Sequence, residues 1–348
     1  MLPIFAYRKL FSSLKEHRLV EAEVRSLLAG TLDSRYVAPT KGNRLKFLGY
    51  GQRNFFSILF LSIYRAIGIP TPRRLHYGII NHCLRGIVTG ADNLLDDEYK
   101  ELLPLKFPAQ ATRFKSIMHL LLFDRFLFKV GRIMQENGQI DAEEADRLQS
   151  ALFQALLPIG AEEASEEGGI RNILTPREIL SSVHMYKGGK LLCLAFVAPR
   201  LLEKDFSRKL LKAEQGIFSI GLALQIIDDL TDFYEDIAVG NHNYLVSSVH
   251  HAGEREERKK LIAVRRAKLR NGEAIETAYP GTVRRVMAEA IGEALQGFAL
   301  LEEAGFWFNQ SQATSLIRSL FVLRGVGELL PFFPKDPAMV HLVRHAAP

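Results

Sequence analysis

The chain has 348 residues, 47% of them hydrophobic and 24% charged, with a formal net charge of +6; that length can bury a substantial core in one large domain or two. Its basic residues are dispersed, and the densest run, Arg255 to Arg270, is interleaved with Glu256 and Glu257, which fits a solvated helix face and argues against a nucleic-acid partner. No apolar run reaches the roughly 18 to 20 residues of a membrane span, the N-terminus lacks a secretory cleavage pattern, and Cys83 and Cys193 are too few for a disulfide framework or a zinc site. A cytoplasmic protein with buried free thiols is expected, and a peripheral membrane contact stays open.

Apolar residues recur at helical spacing and strand signals are scarce, so the chain reads as all-α with about ten helices. A short helix is expected over Val20 to Leu28, a strongly apolar one over Asn54 to Ile67, and a long one over His76 to Asp97. Helices over Ala111 to Glu136 and Ala142 to Leu157 follow, the second capped by Asp141. Glu162 to Gly169 reads as an acidic surface loop. Thr175-Pro176 opens a helix to about Ala198, and Phe206 to Glu235 forms another. Glu254 to Arg270, Thr282 to Ala304 and Gln312 to Leu330 complete the series. No linker divides the chain, which reads as an N-terminal extension over 1–40 and one helical domain over 41–348.

Two acidic clusters stand out: Asp92-Asn93-Leu94-Leu95-Asp96-Asp97-Glu98, and Asp228-Asp229-Leu230-Thr231-Asp232 continuing to Glu235 and Asp236. Residues four apart in a helix lie one above the other, so Asp92 and Asp96 share a face, as do Asp228, Asp232 and Asp236. Stacked like charges repel unless solvated or neutralised by hard divalent cations. Mg²⁺ takes only one or two carboxylates and leaves places for phosphate oxygens, so two such clusters suggest a clamp for a diphosphate. Gly188-Gly189 inside a helical pattern costs about 1 kcal/mol per glycine relative to alanine, which points to a kink or a close approach there. Phe55, Phe56 and Phe60 read as core.

Both clusters, on helices of an all-α chain, resemble those of the class I isoprenoid synthases: the trans-prenyl diphosphate synthases, squalene and phytoene synthases, and terpene cyclases. The stretch Gln225-Ile226-Ile227-Asp228-Asp229-Leu230-Thr231-Asp232 is very similar to the second aspartate-rich motif of the trans-prenyl diphosphate synthases. The first cluster is similar to their DDxxD motif, with Asn93 in the second place. The resemblance covers roughly 45–245 and implies a single-domain orthogonal helical bundle around a central cavity. It also implies Mg²⁺ held by Asp92, Asp96, Asp228, Asp229, Asp232 and Asp236. Asp92, Asp96, Asp228, Asp232 and Lys187 would be catalytic. Arg53, Lys187, Lys190 and Gln225 would bind the substrate, and Ile87 and Val88, five and four positions before Asp92, would form the floor of its hydrocarbon pocket.

Two departures from the family pattern bear on the reaction. Chain-elongating members carry paired arginines after the first motif, where this chain reads Glu98-Tyr99-Lys100-Glu101; Arg73-Arg74 would compensate only if their loop turned towards the site. The stretch Asp232-Phe233-Tyr234-Glu235-Asp236, followed by Gly240 and Tyr244-Leu245, is similar to phytoene and squalene synthases. The resemblance therefore implies a Mg²⁺-dependent prenyltransferase that joins a farnesyl-length or longer allylic diphosphate to a prenyl acceptor. Terpene cyclisation, ordinary polyprenyl chain elongation and a non-catalytic helical binding protein are the alternatives. The expected partners are a prenyl diphosphate and, as a homodimer, a second copy of the chain.

Overall fold

The computed structural model describes residues 8–39, 47–95, 99–307, 310–323 and 325–333. Asp96, Asp97 and Glu98 of the first cluster lie outside them. Among the described residues the only β pairing is an isolated bridge between Val37 and Leu105, so the all-α expectation holds. The described residues form two compact units, one drawn from 8–153 and 194–210, the other from 154–193 and 211–333.

The first unit contains α1 (Arg8–Ala29), α2 (Phe47–Arg53), α3 (Phe55–Ile67), α4 (Thr71–Leu95), α5 (Thr112–Glu136) and the start of α6 (Ala142–Ser165). Helix α1 is longer than the sequence suggests. Leu10, Leu14, His17, Val24 and Leu28 form one buried stripe at helical spacing, and α1 packs on α3 and α4. Residues read as an extension thus belong to this unit's core; the charges between the stripe positions hide the pattern. Helix α3 ends where Gly68 adopts φ 108°, a conformation glycine takes without strain. Helix α4 lies close along α5: a Cβ on Gly86 would come within 2.3 Å of the Phe123 ring, and one on Gly90 within 3.2 Å of Leu120. Asp141 caps α6, accepting the Glu144 N–H at 2.7 Å. The helix carries Pro158 internally and runs on to Ser165, so neither the break at Leu157 nor the loop from Glu162 is found.

In the second unit a capping box at Thr175 and Glu178 opens α7 (Pro176–Glu178). The helix continues in π form over Ile179–Val183 and Met185–Lys190 before α8 (Leu191–Leu202), whose residues from Leu194 on belong to the first unit. Next come α9 (Ser207–Thr231), α10 (Phe233–Val239), α11 (Tyr244–Ala252), α12 (Arg255–Ala267), α13 (Ile275–Ala278), α14 (Pro280–Glu303) and α15 (Gln310–Leu323). The sequence reading omits α11, although Asn243 caps it by accepting the Val246 N–H at 3.0 Å. Backbone meets backbone on two sides of α9. A Cβ on Gly188 would stand 2.4 Å from the Gly221 carbonyl oxygen, and one on Gly216 2.6 Å from that of Gly297. The close approach expected at Gly188-Gly189 is present. One helical stretch, Lys204–Thr231, is long and apolar enough to cross a membrane, a correction to the sequence reading, which considered uninterrupted runs only. Most of it is buried within the protein, as a core helix would be.

Candidate active site

The second acidic cluster sits where α9 passes into α10. The helix breaks at Asp232 (φ −97°, ψ 8°), yet the backbone ladder continues through it, with Asp232 N–H donating to Asp228 O at 2.9 Å and Asp236 N–H to Asp232 O at 2.8 Å. Asp228, Asp232 and Asp236 therefore keep the one-turn spacing that puts them on one face. Asp236 is half-buried; burial, with Asp229 and Asp232 nearby, pushes its pKa up to about 7 despite hydrogen bonds from Asn243 and Asn241. A cation would remove that repulsion.

Asp229 points elsewhere. It is buried, and both its oxygens are taken: Oδ2 accepts from His184 Nε2 at 2.9 Å and from the Tyr244 N–H, and Oδ1 from Gln225 Nε2 at 3.4 Å. Asn243 Nδ2 donates to the Asp229 carbonyl at 2.7 Å and to Asp236 Oδ2 at 2.8 Å, tying the motif to the start of α11. Asp229 and Gln225, read from the sequence as metal ligand and substrate contact, are here occupied in holding the motif in place.

The two lysines expected at the diphosphate separate. Lys187 is held by Glu166 at 2.6 Å and Glu163 at 3.1 Å. Burial opposes its charge, but the two carboxylates outweigh burial and raise its pKa. Glu166, expected on a surface loop, is buried and also accepts the His242 N–H at 3.3 Å. His242 is half-buried, and burial lowers its pKa. Lys190 is exposed, 5.9 Å from the Phe218 ring centroid, on a cleft shared with Cys193, Glu214 and Gln296. The π-helical turns explain the separation: residues three apart, neighbours in an α-helix, diverge when the turn is wider.

In the first unit Asp92 lies in the last turn of α4, half-buried. Asn93 is buried, and its amide donates to Lys100 O at 3.1 Å and accepts the Lys100 N–H at 2.9 Å, so it anchors the following segment. Ile87 and Val88 are half-buried. The space beside Gly86 and Gly90 is filled by Phe123 and Leu120, so those glycines serve helix packing. Arg73 donates to Glu203, Leu202 O and Gln139 O, and Arg74 pairs with Glu16 at 2.6 Å, so neither is available for a substrate.

Arg53, at the exposed end of α2, has a partner the sequence reading missed. Arg85 donates to Asn54 Oδ1 at 3.3 Å, and its pKa is lowered by burial and by the charge of Arg53, against the pull of Glu21. Arg85 precedes Asp92 by two helical turns, a spacing that places both on one face of α4 and was readable from the sequence.

Among the described residues no group of three or more His, Cys, Asp or Glu side chains is arranged to hold a metal by itself. The donor set nonetheless fits Mg²⁺, which is bound through one or two carboxylates and completes its shell with water and phosphate oxygens.

No family model matches the sequence, and neither does any curated protein. Solved structures do. A decaprenyl diphosphate synthase from Rhodobacter capsulatus superposes with a TM-score of 0.64 at 17% identity, over 92% of this chain and 98% of that one. A geranylgeranyl pyrophosphate synthetase from Pyrococcus horikoshii Ot3 gives 0.52 at 15% identity, over 98% and 99%. A polyprenyl synthetase from Streptomyces coelicolor A3(2) gives 0.51 at 18%, over 96% and 99%. Likeness at such identities speaks to the fold, and the chain has the all-α fold of the class I isoprenoid synthases.

Proposed function

We propose that the protein is a cytoplasmic, Mg²⁺-dependent prenyltransferase that ionises a farnesyl-length or longer allylic diphosphate and joins the carbocation to a prenyl acceptor. The observation that carries this reading is the Asp228, Asp232, Asp236 ladder, kept in register across a helix break while Asp229 is tied down behind it. Asp92, Asp96, Asp228, Asp232 and Asp236 would hold the metal, which when bound supplies charge stabilisation to the departing diphosphate. Lys187, kept charged by Glu166 and Glu163, would donate to phosphate oxygens as a point charge. Asp229 acts as a positioning residue, and Ile87 and Val88 would contact the hydrocarbon chain.

Arg53 beside Arg85 favours an acceptor that itself carries a diphosphate, since two guanidinium groups can grip such a head bidentately. This is the specific support for ordinary chain elongation with isopentenyl diphosphate, the reading that the named products of the structural neighbours fit best. Incubation with farnesyl and geranylgeranyl diphosphates, with and without isopentenyl diphosphate, decides among the reactions. An elongated diphosphate selects elongation, a coupled hydrocarbon selects condensation of two prenyl groups, and a cyclic hydrocarbon selects cyclisation. No product with any of them, in Mg²⁺, removes the prenyltransferase reading and leaves a binding protein. For the oligomer we propose a homodimer: Phe114, Ile117, Leu121 and Phe128 are all exposed by more than two-fifths and form one stripe along α5, a face suited to a second copy.

A further inference from the structure

We propose that helix α12 and the segment just after it form a docking surface for a membrane rich in anionic phospholipid. The inference goes beyond the prenyltransferase reading and does not depend on it. Residues 254–273 carry eight Lys or Arg side chains against four Glu, a net +4 out of the +6 of the whole chain. All eight cations are exposed. Helix α12 buries only Glu257 and Leu261, and its exposed side carries Arg255, Lys259, Ile262 and Arg266 at helical spacing. Arg258 and Arg265 flank them, near enough to His250 at the end of α11 that, after burial and His251, their charges lower its pKa.

The carboxylates of the segment offset little of this charge. Glu257 is turned inward, accepting the Gly281 N–H at 2.9 Å and the Thr282 hydroxyl at 2.5 Å. Glu256 pairs with Lys259 at 2.8 Å and Glu273 with Lys260 at 3.0 Å. Among the described residues no carboxylate stands within ion-pair distance of Arg255, Arg258, Arg265, Arg266, Lys268 or Arg270. Like charges three and four apart, as at Arg255, Arg258 and Lys259, repel, and an anionic surface relieves that repulsion. Ile262 is 49% exposed among these cations, and Leu269, just past the helix, 41%. A bilayer surface accommodates both features. Its head groups pair with the cations, while the aliphatic side chains and the stems of Lys and Arg reach towards the acyl boundary. Basic clusters of this size on a helix suit phosphatidylserine-type membranes. Nucleic acid would answer the charge but leave Ile262 and Leu269 without a partner, and the segment carries no aromatic ring on which bases could stack.

Co-sedimentation of the full chain with vesicles tests the surface, in EDTA so that divalent cations bridge nothing. Wild type should pellet at low salt with vesicles of equal parts phosphatidylcholine and phosphatidylserine, and be released as salt rises. It should stay in solution with phosphatidylcholine alone. Arg255→Gln combined with Arg266→Gln should weaken binding to the anionic vesicles at least about tenfold, and Ile262→Ser about threefold. Both variants should keep the wild-type melting temperature, because the three side chains are exposed. Arg208→Gln combined with Lys209→Gln, two exposed cations at the start of α9, removes the same charge elsewhere and should bind like wild type. Failure of wild type to bind the anionic vesicles overturns the proposal. So does wild-type binding in the Arg255 and Arg266 variant, and so does equal loss in the two double variants, which would make net charge the cause. Polyuridylate bound as tightly as the anionic vesicles, with Ile262→Ser unchanged on both, would assign the face to a nucleic acid and overturn the membrane as occupant.

Discussion

Asp228 and Asp229 are adjacent in sequence and face different surroundings. The first shares a face with Asp232 and Asp236; the second is buried beneath donors from His184, Tyr244 and Gln225. Asn at each position should therefore fail differently. Asp228→Asn should keep its melting temperature and lose turnover by roughly a hundredfold or more. Asp229→Asn should lose about 1–3 kcal/mol of stability, because a neutral amide cannot accept all three bonds. Parallel measurement of kcat and urea midpoints separates the two, and equal effects in both variants would contradict the division of roles. His17 and His82 give a pH dependence. Burial, aided by Arg85, lowers their pKa values to about 4 and about 3. Unfolded, each binds a proton near pH 6.5, so stability is fully present above that pH and is lost as pH falls through 6 towards 4. The urea midpoint should drop between pH 7 and 5, and His82→Gln should flatten the drop; an unchanged slope in that variant would assign the acid sensitivity to other groups.

At the scale of elements, the glycines around α9 decide how closely its neighbours approach. Gly188 and Gly221 put the π-helical segment and α9 in backbone contact, with the Cβ of either replacement falling 2.4 Å or less from the other's carbonyl oxygen. Helix propensity would favour alanine by about 1 kcal/mol. The clash must displace backbone, however, and overpacking of that kind costs typically 1–3 kcal/mol or more. Gly221→Ala is thus expected to lower the melting temperature. Gly160→Ala, in α6 with nothing within 4 Å of a new Cβ, should leave it unchanged or raise it. Stabilisation by Gly221→Ala would show that the two elements can move apart without loss.

At the scale of the whole molecule, the exposed apolar stripe of α5 makes a prediction about assembly. Leu121 is 61% exposed, so replacing it by Glu should leave the fold of a monomer undisturbed while placing a charge in the interface of a dimer. Light scattering should report a dimer for wild type and a monomer for Leu121→Glu; a wild-type monomer would refute the assignment. The sequence by itself determined the helical class, most helix positions, the register of Asp228, Asp232 and Asp236, and the close approach at Gly188, because these rest on local periodicity and on the one property only glycine has. Tertiary structure alone decided which polar groups remain available for chemistry. Asp229 and Asn93 carry the residue types that a site needs, but their partners, His184 and the Lys100 backbone, lie 45 and 7 residues away. Whether a carboxylate or an amide is spent on the fold or kept for a ligand is set by burial and hydrogen bonding across elements, which spacing along one helix does not encode.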